Sequence, residues 1–177
     1  LVGSEMCIRD SGLNISMRNI TVSTCGVVPR IYELMNLNLQ LTLTISLHAP
    51  NDEIRSNTMP INNKYKIDEL LAACRKYGEK TGRRVSFEYT LIKDVNDSKE
   101  NALELAARLK GMNAHVNLIP VNDVKERGNI KSSKKAILNF QNILKKNGIN
   151  ATIRRTLGAD INASCGQLRR LKNRGEN

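Results

Sequence analysis

Apolar residues recur along this chain at two spacings, and the two spacings take turns. "RNITVST" (18–24) is a β-branched run and reads as a strand. "VPRIYELMNLN" (28–38) has helical spacing, and "LTLTISL" (41–47) is strand-like again. In "KIDELLAACRKYGEKTG" (66–82), Ile67, Leu70, Leu71, Cys74 and Tyr77 share one helical face, and Gly82 follows as a stop. "RVSFEYTLI" (84–92) predicts a strand. "SKENALELAARLKGM" (98–112) predicts a helix opened by Ser98 as N-cap, with Asn101 three residues later. "HVNLIPV" (115–121), "SSKKAILNFQNILKKNG" (132–148) and "NATIRRT" (150–156) continue as strand, helix and strand. Such alternation with short connections predicts an α/β fold of parallel strands with helices packed outside them. Right-handed crossovers turn that pattern into either a barrel or an open doubly wound sheet. The opening "LVGSEMCIRD" shows neither period and no turn logic. Residues 1–13 are therefore set apart as a non-native scar or a linker.

In both architectures chemistry gathers where the strands end at their carboxyl side. The first strand is followed by Ser23, Thr24, Cys25 and Gly26. The second is followed by "SLHAPND", with Ser46, Leu47 and His48. The third leads into "KDVNDS", and the fourth into "IPVND" with Asn122. The last leads into "LGADINASCGQL" with Cys165. Small polar groups thus collect on one rim, suited to a ligand with many polar edges, such as a nucleoside. Each has a plainer reading. Ser23 and Ser46 can cap strand ends, His48 can satisfy a loop carbonyl, and Asn122 can be a turn residue. Cys74, on an apolar helix face, reads as core.

Composition narrows the partner. The formal net charge is +11, from 28 Lys+Arg against 17 Asp+Glu, which favours a polyanion, most simply nucleic acid. With two phenylalanines, four tyrosines and no tryptophan, a stacking platform for single strands is not expected; contact would rely on phosphates and shape. "KERGNIKSSKK" (125–135) and "RRLKNR" (169–174) are the densest basic stretches. No apolar run approaches the roughly 20 residues of a membrane helix, and no secretory pattern opens the chain, so a cytoplasmic location is expected. Cys7, Cys25, Cys74 and Cys165 are widely spaced and form no metal-binding pair, so no residue of this sequence is assigned to a metal. At this level the thiol of Cys165 has no settled role.

Five ordered motifs, "ITVSTCGVVP", "ISLHAPNDEIRSNTMPIN", "FEYTLIKDVNDS", "HVNLIPVN" and "GADINASCGQL", together resemble the RlmN family, and the resemblance runs over residues 14–170. Those are radical S-adenosylmethionine (SAM) enzymes that methylate C2 of an adenine in 23S rRNA and in tRNA. The resemblance implies a partial (β/α) barrel, with residues 171–177 as a basic tail. It implies that Ser23, the Ser46–Leu47–His48 stretch and Asn122 hold SAM, and that Cys165 is the cysteine that becomes S-methylated. The cofactors implied are SAM and a [4Fe-4S] cluster; the partners implied are 23S rRNA and tRNA, with the protein a monomer. The chemistry needs a thiol because C2 of adenine is electron-poor and cannot attack a methyl group as a nucleophile. In the implied route Cys165 first takes a methyl from SAM. A radical from a second SAM then activates that methyl for addition to C2.

The family's C-x-x-x-C-x-x-C cluster motif, its Gly-Glu element, its accessory domain and its resolving cysteine do not occur in this sequence. The expectation is a carboxyl-terminal part of the barrel that neither holds a cluster nor turns over by itself. Cys25 falls where the family has a small residue, at a spacing that matches no cluster ligand. Two other readings stay open: the sister Cfr family, which methylates C8 of the same adenine, and a non-catalytic RNA- or SAM-binding module.

Overall fold

A computed structural model describes residues 16–121 and 131–154. Five strands form one sheet: β1 (Thr21–Thr24), β2 (Thr42–Ser46), β3 (Val85–Leu91), β4 (Ala114–Pro120) and β5 (Asn150–Ile153). All neighbours are parallel and the spatial order is β1-β2-β3-β4-β5. Spatial order therefore follows chain order without reversal. A doubly wound sheet reverses its order at a switch point, whereas a (β/α) barrel does not. The architecture is the barrel type that periodicity alone left undecided.

Each crossover carries helix: α1 (Val28–Asn36), α2 (Asp52–Thr58), α3 (Ile67–Thr81), α4 (Lys99–Leu109) and α5 (Lys134–Lys146). The expected face of α3 is buried: Ile67, Leu70, Leu71, Cys74 and Tyr77 all join the core. Tyr77 keeps its hydroxyl satisfied there by donating to the Leu41 carbonyl at 3.1 Å. Gly82 ends α3 at φ +64°, with open space around it, so glycine is needed for its backbone rather than for room. A reciprocal box starts α4. The Asn101 N–H donates to Ser98 Oγ at 3.1 Å, and the Ser98 N–H donates to Asn101 Oδ1 at 3.3 Å. Ser133 caps α5 in the simpler way, accepting from the Ala136 N–H at 3.1 Å.

The strands separate two chemistries. In β3, Val85, Phe87, Tyr89 and Leu91 are buried, while Ser86, Glu88 and Thr90 between them are half-buried. In β4, Ala114, Val116 and Leu118 are buried against His115 and Asn117 on the other face. The parallel register aligns these sets across the sheet, because side chains alternate with period two. One face thus packs on the helices in a continuous apolar core. The other is a polar floor, with Ser23, Thr44, Ser86 and His115 in one row and Ser46, Glu88, Asn117 and Thr152 in the next.

On the apolar side Phe140 of α5 is 1% exposed and meets the Tyr89 ring with centroids 5.1 Å apart. Replacing Phe140 with alanine removes this ring and leaves a cavity. The expected loss is about 3–5 kcal/mol of unfolding free energy in the full-length protein, read as a lowered denaturant midpoint in chemical unfolding.

Candidate functional site

The rim is built by two polar clamps, one on each side of the Ser46–His48 stretch. The first is Arg55, on α2. That short helix was not apparent from apolar spacing; it starts at Asn51, whose Oδ1 accepts from the Ile54 N–H at 3.1 Å, with Asp52 and Glu53 in its first turn. Arg55 is fully buried. Its Nη2 donates to the Cys25 carbonyl at 2.7 Å and to the Ser46 carbonyl at 3.5 Å, and its Nη1 donates to Asn62 Oδ1 at 3.0 Å. One guanidinium therefore joins the carboxyl ends of β1 and β2. Asn62 is held in turn by donating to Asp52 Oδ1 at 2.9 Å and Ser56 Oγ at 2.9 Å. Burial lowers the affinity of Arg55 for its proton, and the Cys25 thiol and Asp52 carboxylate nearby act in the opposite sense.

The second clamp is Asn96, also fully buried. Its amide donates to the His48 carbonyl and to the Thr90 carbonyl, each at 2.8 Å, while its Oδ1 accepts from the Ile92 N–H at 2.8 Å. Its own carbonyl accepts from the Tyr89 hydroxyl at 2.8 Å. Between the clamps, the Glu88 carbonyl accepts both the Leu47 N–H at 3.0 Å and the His48 N–H at 3.1 Å.

His48 sits at φ +59°, a left-handed conformation uncommon outside glycine, held by these bonds on both sides. Its Nδ1 accepts from the Thr90 N–H at 3.1 Å. The ring proton of the neutral form therefore lies on Nε2. Burial, and secondarily the charge of Arg55, push its pKa down to about 4.

Of the residues expected to hold a ligand, the structure brings Ser46, Leu47 and His48 into this clamped turn. The side chain of Leu47 is fully buried in the core, so what it can offer a ligand is backbone. Ser23 is exposed on the neighbouring strand and pairs in register with Thr44, two positions before Ser46. Asn122 and Cys165 lie outside the described residues, as do Cys7, residues 125–130 and the basic tail. Cys25 is exposed and Cys74 is buried. Burial raises the Cys74 pKa to about 12, which makes it an inert filler, as its helix position implied. The sequence reading missed Arg55, Asn62, Asn96 and Glu88. Arg55 meets Cys25 across 30 residues, Asn96 meets His48 across 48 and Glu88 meets Ser46 across 42, while the other partners of Asn62 and Asn96 lie within 10 residues; only the Asn-Asp pairs around α2 and Asn96 hinted at backbone capping.

Among the described residues no group of three His, Cys, Asp or Glu side chains could hold a metal ion. The described residues therefore do not fit an iron–sulfur cluster. The polar groups they offer suit a nucleoside-like molecule: the Ser46 hydroxyl lies 3.4 Å from the Glu88 carboxylate, and the imidazole of His48 follows two residues after Ser46 on the clamped turn. No helix among the described residues is long and apolar enough to cross a membrane.

Parallel strands in chain order, with a polar rim at their carboxyl ends, define a (β/α)-barrel class, and sequence comparison gives the class its name. The model of the radical SAM superfamily matches residues 4–106, and the chain belongs to that superfamily. Within it the chain is similar to proteins described as RlmN. The probable dual-specificity RNA methyltransferase RlmN of Lachnospira eligens is 59% identical over 165 residues, covering 93% of this chain and 47% of that protein. The protein of the same description from Clostridium botulinum strain Eklund 17B is 61% identical over 159 residues, covering 90% of this chain and 46% of that protein. A crystal structure of a radical SAM methyltransferase from Sphaerobacter thermophilus superposes with a TM-score of 0.87 at 49% identity, covering 93% of this chain and 48% of the other. The chain thus spans about half the length of the curated relatives it matches.

The clamp has a consequence for acid stability. The unfolded His48 titrates near the ordinary histidine value of 6.5, and the folded one near 4. Between those values the unfolded chain binds more protons, so this residue's contribution to stability is present above about pH 6.5 and is lost as pH falls toward 4. Following the His48 ring by NMR in the folded protein should show no titration between pH 5.5 and 8, values that bracket the ordinary histidine range of about 6.5.

Proposed function

We propose that this chain supplies the SAM-binding strand ends and the methyl-carrying thiol of an RNA methyltransferase acting on C2 of adenine, in 23S rRNA and in tRNA. The observation that supports it most is 59% identity over 93% of the chain to a protein described as a dual-specificity RNA methyltransferase. The RlmN descriptions of the relatives favour C2 over the C8 chemistry of the sister family. The clamped rim supports an enzyme over a passive binding module, because strain and buried polar networks collect where a ligand must be held in one pose.

In this reading residues 14–170 are the part of the barrel present here, residues 171–177 a basic tail, and residues 1–13 a scar or linker. Ser23, Ser46, the backbone of Leu47, His48 and Asn122 contact SAM. SAM, when bound, supplies the methyl group. Ser46 and His48 are presented by the Arg55 and Asn96 clamps, so their positions are fixed before the ligand arrives. With its proton on Nε2 and its pKa near 4, His48 acts as a neutral hydrogen-bond donor across the physiological range. Cys165 must be a thiolate to accept a methyl group. A carbon–sulfur bond forms at Cys165 as the sulfonium–methyl bond breaks, and the electron pair of that bond leaves on the departing thioether. The cluster ligands are expected from outside the described residues.

The RNA is drawn in by charge. The excess of lysine and arginine, densest in 125–135 and 169–174, engages phosphates, and the target base leaves its stack to reach the rim. The protein works as a cytoplasmic monomer.

In the full-length protein, Cys165→Ala should abolish methyl transfer to an RNA substrate, measured by mass spectrometry of the digested RNA, while SAM affinity stays within about twofold, well below the tenfold that 1.4 kcal/mol represents. Normal methylation by that variant would remove Cys165 from the role of methyl carrier.

A further inference from the structure

Glu88 is the only acidic or basic side chain, histidine aside, in the five strands. It lies on the polar face of the sheet, half-buried, in register with Ser46 on one side and Asn117 on the other. A carboxylate in such a place is ordinarily paired with a cation. Here no lysine, arginine or histidine among the described residues forms an ion pair with it. Its one side-chain bond is a long one, from the Ser46 hydroxyl to Oε2 at 3.4 Å. The remaining acceptor capacity of the carboxylate faces the side of the sheet opposite the helices. At the same time the Glu88 carbonyl fixes the N–H groups of Leu47 and His48. Its side chain is therefore held at a set height relative to the clamped turn.

From this arrangement we infer that Glu88 is a further ligand-binding residue, whose carboxylate accepts hydrogen bonds from the vicinal hydroxyls of the ribose in an adenosyl ligand. The inference rests on the reading that these strand ends bind SAM. Two chemical features select a ribose over a simple cation. A cis-diol offers two neighbouring donors, which match the two oxygens of one carboxylate. It also offers acceptors, which the flanking Asn117 carboxamide, in register with Glu88, can engage as a donor; a bare cation would leave that donor unanswered. The surrounding floor of Thr44, Ser86, Asn117 and Thr152 is neutral and rich in hydroxyls and amides, the complement of a polyol rather than of a second charge.

The test uses S-adenosylhomocysteine, which lacks the sulfonium charge, together with its 2′-deoxy and 3′-deoxy analogues. Each is titrated calorimetrically into full-length wild-type, Glu88→Gln and Glu88→Asp proteins. A site built to bind a hydroxyl rejects the analogue that lacks it, so the wild type should lose about tenfold or more in affinity with a missing hydroxyl. Glu88→Gln should weaken S-adenosylhomocysteine by about tenfold and shrink the gap between it and its deoxy analogues to about twofold, since the two losses are then not independent. Glu88→Asp keeps the charge with shorter reach and should also narrow the gap, which preserves the test if the glutamine variant does not fold. Unchanged affinity and unchanged discrimination in folded Glu88 variants would overturn the inference while leaving the SAM-binding reading intact. Failure of the wild type to bind S-adenosylhomocysteine at all would overturn that reading, and this inference with it.

Discussion

A single buried guanidinium sets the shape of the rim. Arg55 holds the carbonyls at the ends of β1 and β2, and the amide oxygen of Asn62 completes its contacts. None of these partners is a charged oxygen, so the cation is offset by dipoles and by Asp52 at one remove, through Asn62. Arginine suits this task because its planar fork reaches several acceptors at once and remains charged when buried. The clamp also dictates a neighbouring residue. A Cβ on Gly26 would lie 3.3 Å from Arg55 Nη2 and 2.9 Å from Leu70 Cδ2, and Gly26 has φ +104°. Steric room and backbone conformation both demand glycine where the chain leaves β1.

Asn96 does for β3 what Arg55 does for β1 and β2. Its amide accounts for the His48 and Thr90 carbonyls and the Ile92 N–H, and the Tyr89 hydroxyl accounts for its own carbonyl. A buried network in which nearly every group is partnered is rigid, because any displacement strands a polar atom in a medium that cannot solvate it. One gap remains at Nε of Arg55. The sheet thus divides its labour. Its apolar face is held by nondirectional packing of helices, which tolerates small shifts. Its carboxyl edge is held by directional bonds, which do not.

Much of the scaffold was readable from spacing. The buried face of α3, the box at Ser98 and Asn101, and the stops at Gly82 and Gly148 are local signals that survive into the fold. Strand order was not, because barrel and doubly wound sheets share the same periodicities. The clamps were hidden for a different reason. Arg55 meets Cys25 from 30 residues away and Asn96 meets His48 from 48 residues away, and no local pattern encodes such meetings. The Ser46–Leu47–His48 stretch was legible as a polar strand end and its ligand role came from the motif, but its left-handed turn became apparent only in three dimensions. The roles of Asn122 and Cys165 rest on motif resemblance alone, since both lie outside the described residues.

The two described cysteines differ sharply toward electrophiles. Cys74 is buried with its pKa raised to about 12, so at neutral pH it is a thiol out of reach of reagents. Cys25 has an exposed side chain, while its carbonyl is held by Arg55. Of this pair, a maleimide or spin label reaches only Cys25. Its attachment point is a backbone anchored to the clamp, so the attached probe reports on the mouth of the barrel without disturbing the core.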